Sequence, residues 1–579
     1  MHSINTFACL WKKRGKDMNK KFMVTALSSL LAVSLAGCSG GGSSSGGSEG
    51  GSSSGGSTPA TAAPAASGDN ILKFGTSGYE GVFNPILSDN VYDSYVSSLI
   101  FDGLLDVNSE GEYVPELAAE MPTLDEETKT VYTFTLRDGL TFSDGTPLTA
   151  DDVAYTYNTI AEEDYAGPRT NVAGPMGAIA EVKVLDEKTV EFTMRDPSPA
   201  NLQNFTYGIL SAAAYEHDSF EALAAKNDTP VGCGQFTLKG WAPKQYVSLV
   251  PNPNYWNKDD IPSIDEFQML EVSEDTLLGA MQNGQIDFCQ PAAKLENVEG
   301  VEALPNAHLI SYLANGYTFM CFNTTRPTLE QTEVRQALLY ALDRRSFLMN
   351  EYGSLDLVSL GMAPISKTSW AYPGDDELNA YEYDIDKANE MLDAAGWDQR
   401  DSDGTRMKDG VRMDLHWLVY TEATWPGTLS SMAYDSWKQI GVNLIVDMMD
   451  FNTVAATTMD AAPGEKDFDI YTMGFSLSLD PDPTGGLFDA DAYSTGGFNA
   501  SGWRDERSQE LLKAGLTEFD QDKRAEIYKE WAIIQNEQVP TAIVAYRSEI
   551  WAVNDRVHGL DDIGVYTDFT ELLGKVTLD

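Results

Sequence analysis

The chain has 579 residues, with 88 acidic and 39 basic side chains and a formal charge of −49. A field of that sign excludes capture of nucleic acid or an anionic surface through diffuse electrostatics. It favours solubility in bulk water or outside a cell and leaves the partner open.

Lys20 and Lys21 precede an apolar run from Phe22 to Ala36, broken only by Thr25, Ser28, Ser29 and Ser34. The run is too short, and too close to a small-residue exit, for a stable membrane span, so residues 1–37 read as a signal peptide. It ends in Leu35-Ala36-Gly37-Cys38, which resembles the bacterial lipobox. The resemblance implies cleavage before Cys38, lipidation of its thiol with palmitate-type chains, and a place on the outer face of the bacterial cytoplasmic membrane. Met18 is an alternative start that yields the same mature chain.

Residues 38–68 hold the lipidation site and then almost nothing but Gly, Ser, Ala, Thr and Pro. With no apolar face to bury, the segment is expected to be a disordered tether. A random coil of this length reaches roughly 30 Å. Beyond it lie three cysteines, Cys233, Cys289 and Cys321, which allow one disulfide or three free thiols but no disulfide framework. The remaining histidines, His217, His308, His416 and His558, lack metal-ligand spacing, so neither a metal site nor a cofactor is expected.

The rest is long enough for two or three domains, and strand-like and helix-like patterns alternate, which predicts an α/β architecture. Thr130 to Leu136 alternates as a strand, Ser143 to Pro147 is a turn, and Thr149 caps a helix with Asp152 at its third position and Val153, Tyr157 and Ile160 on one face. A second helix runs from Ile385 to Ala395, capped by Asp384 and stopped by Gly396. Asp401-Ser402-Asp403-Gly404 has the look of a calcium loop, but later ligands are missing and a solvated turn is expected. Ser508 to Gln535 reads as one or two surface helices before a strand from Val539 to Val544.

Several blocks then carry a family resemblance. They are Val114-Pro115-Glu116-Leu117-Ala118, the run from Tyr132 to Gly145 with Leu148 to Val153, Pro230 to Phe236, Asn252 to Trp256, Gly284 to Asp287, Phe322-Asn323-Thr324, Val334 to Leu338, and Ala341 to Arg344. In this order they resemble the extracellular solute-binding proteins, family 5, of peptide and nickel ABC transporters. The resemblance implies a two-lobed, periplasmic-binding-protein-like class II fold with an extra N-terminal subdomain. Lobe one would hold residues 69–313 and 539–579, and lobe two residues 314–538. It also implies a monomer that closes on a peptide and delivers it to the permease and ATPase subunits of an importer. The chain has no phosphate-binding loop of its own. Another solute, such as a nickel chelate, an oligosaccharide or an opine-like compound, and a peptide-sensing lipoprotein are the alternatives. No nucleophile and base, or open metal site, supports an enzyme.

The resemblance also nominates ligand-contacting residues. In peptide-binding relatives a loop carries a Trp and then an Asp that meets the ligand's amino group; here Phe475 replaces the Trp and Ser478 falls near the Asp. Asp480 and Asp482 are the acids that could take over, against an ordinary Asp-Pro turn. Asn323 lies near the first crossover, and Phe498 and Asn499 lie in a segment near the pocket. Phe83, Asn84 and Tyr92 match a stretch that approaches the cleft, and Trp425, with Trp370 and Trp437, is a candidate wall against a packing role. Arg137 and Asp144 are expected to be structural, the first paired with an acid and the second in a turn.

Overall fold

Alternation from Val131 to Thr135 forms a strand that buries Tyr132 and Phe134 and leaves Val131 and Thr133 half-buried. The computed structural model describes residues 69–88, 90–162, 165, 167 and 177–579. The expected signal peptide, Cys38 and the tether lie outside the described residues. Helix Ala150–Ile160 follows as expected, with the Thr149 N–H donating to Asp152 Oδ2 at 2.9 Å and Val153, Tyr157 and Ile160 buried. This helix packs on a four-stranded sheet made by Thr123–Leu124, Val131–Thr135, Thr189–Met194 and Ile179–Asp186, in that spatial order. Phe134, Phe192, Phe205 and Tyr157 form the centre of its separate core.

Helix Ile385–Ala394 begins where Asp384 Oδ1 accepts the Lys387 N–H at 2.9 Å, and buries Ala388 and Leu392. Gly396 ends it at φ +86°, a conformation that costs a side-chain-bearing residue energy. The loop from Asp401 is no cation site, because Arg412 fills it: Nη2 donates to Asp403 Oδ2 at 2.6 Å, Nε donates to Asp414 Oδ1 at 2.8 Å, and Nη1 pairs with Asp401. The expected surface helices over 508–535 are two, Glu506–Thr517 and Gln521–Gln538, and the second exposes Asp522, Lys523, Glu526 and Glu530 on its outer face. Its Arg524, Tyr528, Trp531, Ala532 and Gln535 recur at helical spacing and are buried. Replacing Trp531 with alanine should cost about 3–5 kcal/mol.

Twelve strands form the main sheet: β1 Ile71–Thr76, β2 Phe236–Ala242, β3 Tyr246–Pro251, β4 Glu266–Glu271, β5 Phe288–Cys289, β6 Ala307–Leu313, β7 Gly316–Phe322, β8 Val358–Leu360, β9 Asp414–Tyr420, β10 Asn443–Met449, β11 Ile470–Ser476 and β12 Thr541–Asn554. Their order is β10-β9-β11-β7-β12-β5-β1-β4-β3-β2, with β6 and β8 also pairing with β12. One core surrounds Leu72, Phe74, Phe267, Phe288 and Trp551. A second surrounds Phe319, Trp417, Trp437, Tyr471, Trp531 and Tyr546.

Two connections link these cores through the sheet. The first is the turn between β6 and β7, at residues 314–315, beside the expected crossover at 313/314. The return was expected at 538/539, just before β12 begins at Thr541, and β12 itself reaches both cores. Residues Thr541 to Ala545 pair with β7, and Ala542 to Tyr546 pack in the second core. Residues Ser548 to Asn554 pair with β6, and Trp551 and Val553 pack in the first core. A continuous strand can serve both cores because its two halves pair with different strands, β7 and β6. All three described cysteines are buried and free, so the one-disulfide alternative is not realised.

Candidate functional site

A cavity of about 520 Å³ lies where the two cores face each other. The first core contributes Tyr92 and Tyr95 from helix Val91–Ile100, Tyr312 from β6, and the segment from Gly564 to Asp568 with Glu571. The second contributes Gly316 and Thr318 from β7, Tyr420 from β9, Trp425, and Gly474 to Ser476 from β11. Arg547 to Ile550 of β12 lie between them. Its size is within the range of about 300–1,000 Å³ usual for small-ligand sites.

The sheet opens at this place for a local reason. β11 pairs with β9 only at Ile470 and Tyr471, while β9 continues alongside β10 to Tyr420. Gly474 to Ser476 therefore border the cavity, with β7 on one side and no paired strand on the other among the described residues. Such an edge is available to the backbone of an extended ligand. Trp425 and Tyr420 meet edge-on with centroids 6.0 Å apart, and Phe475 stacks on Tyr317 at 6.1 Å, so the apolar walls are held by packing.

The polar lining is mostly acidic. Lys294 pairs with Glu351 at 3.3 Å, and Glu351 Oε2 also accepts from Thr428 at 2.9 Å. Glu549 Oε2 accepts from the Tyr312 hydroxyl at 2.7 Å and from Gln290 Nε2 at 3.1 Å. Asp568 caps the helix Phe569–Leu572, accepting from the Thr570 N–H at 3.1 Å. Burial pushes the Asp568 carboxyl up to about 6. Burial first, and the charges of Asp106 and Asp568 second, push Glu571 up to about 9. Thr318 is 2% exposed and its hydroxyl has no hydrogen-bond partner. Among the described residues no group of three His, Cys, Asp or Glu side chains is placed to hold a metal.

Tyr566, which lines the cavity, also joins distant segments of the chain. The Tyr566 hydroxyl donates to the Thr368 carbonyl at 3.0 Å. A Cβ at Gly111 would lie 2.9 Å from the Tyr566 ring and 3.1 Å from Leu479, so the three chain segments meet with no room for a side chain.

Of the residues nominated from the sequence, the structure brings Tyr92, Trp425 and Phe475 to the cavity. The others are placed elsewhere, each for a definite reason. Phe83 is fully buried against Trp241, with ring centroids 5.4 Å apart. Asn84 turns its own chain, its Oδ1 accepting the Ile86 N–H at 3.1 Å. Asn323 is 1% exposed and ties loops together, with Nδ2 donating to the Phe468 carbonyl and Oδ1 accepting from Thr325. Phe498 packs on the second core, and the fully buried Asn499 bonds Asp489, Ser501 and Gly502. Ser478 is exposed, and its carbonyl accepts from Asn315. Asp480 is held by Arg524, with Nη2 donating to Oδ1 at 2.8 Å, and Asp482 Oδ1 accepts from the Tyr528 hydroxyl at 3.0 Å.

Arg137 is structural without the expected acid pair: it donates to the Pro115 carbonyl at 3.1 Å and lies 4.3 Å over the Trp256 ring. Asp144 makes its turn by accepting the Thr146 N–H at 2.9 Å. Sequence reasoning missed Thr318, Glu549, Asp568 and Glu571. Asp568 followed three residues later by Glu571 is a helix-start signal, which marks a cap and says nothing of a cavity.

Comparison with known proteins accounts for this arrangement. The oligopeptide-binding protein AppA of Bacillus subtilis is 25% identical over 553 residues, covering 94% of this chain and 96% of its own. The structure of AppA in complex with a nonapeptide superposes with a TM-score of 0.69 at 22% identity, covering 88% of this chain and 99% of that one. Lactococcal OppA, complexed with an endogenous peptide in the closed conformation, gives 0.71 at 21% identity, covering 88% and 100%. These neighbours share the two-lobed periplasmic-binding-protein fold. Residues 112–496 match the bacterial extracellular solute-binding proteins, family 5 Middle, and the chain belongs to that family.

Proposed function

We propose that this protein captures peptides outside the cell and delivers them to the membrane subunits of an ABC importer. The observation that carries the reading is a cavity enclosed between two cores of one chain, with a free strand edge at Gly474 to Ser476 for a peptide backbone and aromatic walls for its side chains. Relatives named for oligopeptide and dipeptide binding support the peptide as ligand. The lobes would be residues 69–313 with 547–579, and 314–546, hinged at the β6–β7 turn and within β12.

Closure is the working step. A ligand touching both lobes stabilises the closed arrangement by its difference in affinity for closed and open forms, and a shift from 1:99 to 99:1 needs about 10⁴-fold. No covalent bond of the ligand changes. The chain acts as a monomer held to the outer face of the cytoplasmic membrane by lipid on Cys38, after removal of a signal peptide, with residues 39–68 as the tether. Among the described residues no helix is long and apolar enough to cross a membrane.

Native mass spectrometry of protein purified gently from its own cells tests the ligand. A ladder of peptide masses is expected, and a single sugar or metal-chelate mass would contradict the reading. Palmitate labelling that disappears in Cys38→Ala tests the anchor.

A further inference from the structure

We propose that the site takes short peptides, about three to five residues long, and excludes longer ones. The inference rests on the peptide reading and adds the length class of the ligand. The free strand edge that would hold a peptide backbone is short because the chain itself ends it on both sides. At one end, Ile470 and Tyr471 are paired with β9. At the other, the Leu477 N–H donates to the Asn315 carbonyl at 2.9 Å, and Asn315 Nδ2 donates to the Leu477 and Ser478 carbonyls at 3.2 and 3.0 Å.

The register fixes how many bonds remain. Antiparallel partners exchange hydrogen bonds at every second residue, so Leu477 opposite Asn315, and Phe475 opposite Tyr317, turn their N–H and C=O groups to β7. Gly474 and Ser476 turn theirs to the free side, about 7 Å apart along the strand. Thr472, next in this alternation, is fully buried and does not line the cavity. Two such residues exchange bonds with about three residues of an antiparallel peptide, or about five of a parallel one.

The cores also touch at two places beside the cavity. Lys294 and Glu351 both line it and pair at 3.3 Å from opposite sides of the hinge. Next to them, a Cβ at Gly353, whose φ is +77°, would lie 2.7 Å from Leu295 Cβ. At the second place Leu479, three residues past the free edge, and the cavity-lining Tyr566 leave no room for a Cβ at Gly111. A peptide that runs out past either contact holds the cores apart and forfeits the bonds that closure makes. The cavity volume of about 520 Å³ fits a small ligand enclosed between these contacts.

The test titrates the full chain by calorimetry with peptides of three, four, five and nine residues built from alanine and serine. The best of the short peptides should bind about ten- to a hundredfold tighter than the nonapeptide, the loss expected from giving up one hydrogen bond to a charged group. In a double variant with Lys294→Ala and Leu295→Ala, or in Leu479→Ala, according to which contact the longer chain must cross, that ratio should fall to within about threefold. Reading the ratio removes any change in closure common to all lengths, and the series on the unsubstituted protein stands even where a variant fails to fold. A nonapeptide that binds as tightly as the short peptides, or a ratio that both variants leave unchanged, would overturn the inference and leave peptide capture standing. Binding of none of the peptides would overturn both.

Discussion

The Tyr566 hydroxyl and the Thr368 carbonyl, 198 residues apart in sequence, meet at 3.0 Å, and Tyr566 also lines the cavity. Tyr566 comes from the C-terminal segment beside the first core, and Thr368 from the second. A hydrogen bond present only when the cores are apposed favours closure by about 1 kcal/mol. Tyr566→Phe should therefore raise the peptide Kd about fivefold, mainly through faster release, with the melting temperature of the ligand-free protein unchanged. Stopped-flow dissociation and thermal melting, run side by side, check this.

Asp480 separates two roles that its sequence position leaves open. Its carboxylate is nearly buried and bonded twice by Arg524, so removing the charge leaves a guanidinium without its counter-ion. Breaking a buried pair in this way costs about 3–5 kcal/mol. Asp480→Asn should lower stability in urea by an amount near that range while the folded protein still binds peptide. A variant of full stability that no longer binds would make Asp480 a ligand contact after all.

Another buried pair sets a pH dependence of stability rather than of binding. Asp102 accepts from Trp256 Nε1 at 3.0 Å and Glu116 accepts from the Tyr255 hydroxyl at 3.2 Å. Burial, and then the neighbouring acids, push both carboxyls up, Glu116 to about 7. The folded state thus binds protons that the unfolded chain has already lost. Stability conferred by protonated Glu116 is complete below about 4.5 and is lost as pH rises towards about 7. Melting temperatures across that window should fall with rising pH, and Glu116→Gln should flatten the slope.

Much of the local structure was legible because it depends on neighbours in sequence. The Thr149 and Asp384 caps, the Gly396 stop and the alternation around Phe134 are decided within a few residues. Tyr92 and Phe475, nominated through a family pattern, and Trp425, nominated as an aromatic wall, line the cavity. For Asp480 that pattern fixes where a residue sits and not which partner claims it, and Arg524 lies 44 residues further on, in a helix. The cavity acids were invisible for the same reason. Glu549 belongs to a strand shared by two cores, and Asp568 reads locally as nothing more than a helix cap. The surface helix Gln521–Gln538 was legible as a charged face mixed with apolar residues, and the structure adds which stripe it buries, at Tyr528 and Trp531.

The distance between the lobes tests the account most directly. Spin labels on Ser109→Cys and Glu377→Cys, both exposed, report it in protein that starts after Cys38, where the three remaining thiols, Cys233, Cys289 and Cys321, are buried. Saturating peptide should collapse a broad, longer distribution into a single shorter distance. The same distribution with and without tightly bound peptide would contradict capture by closure.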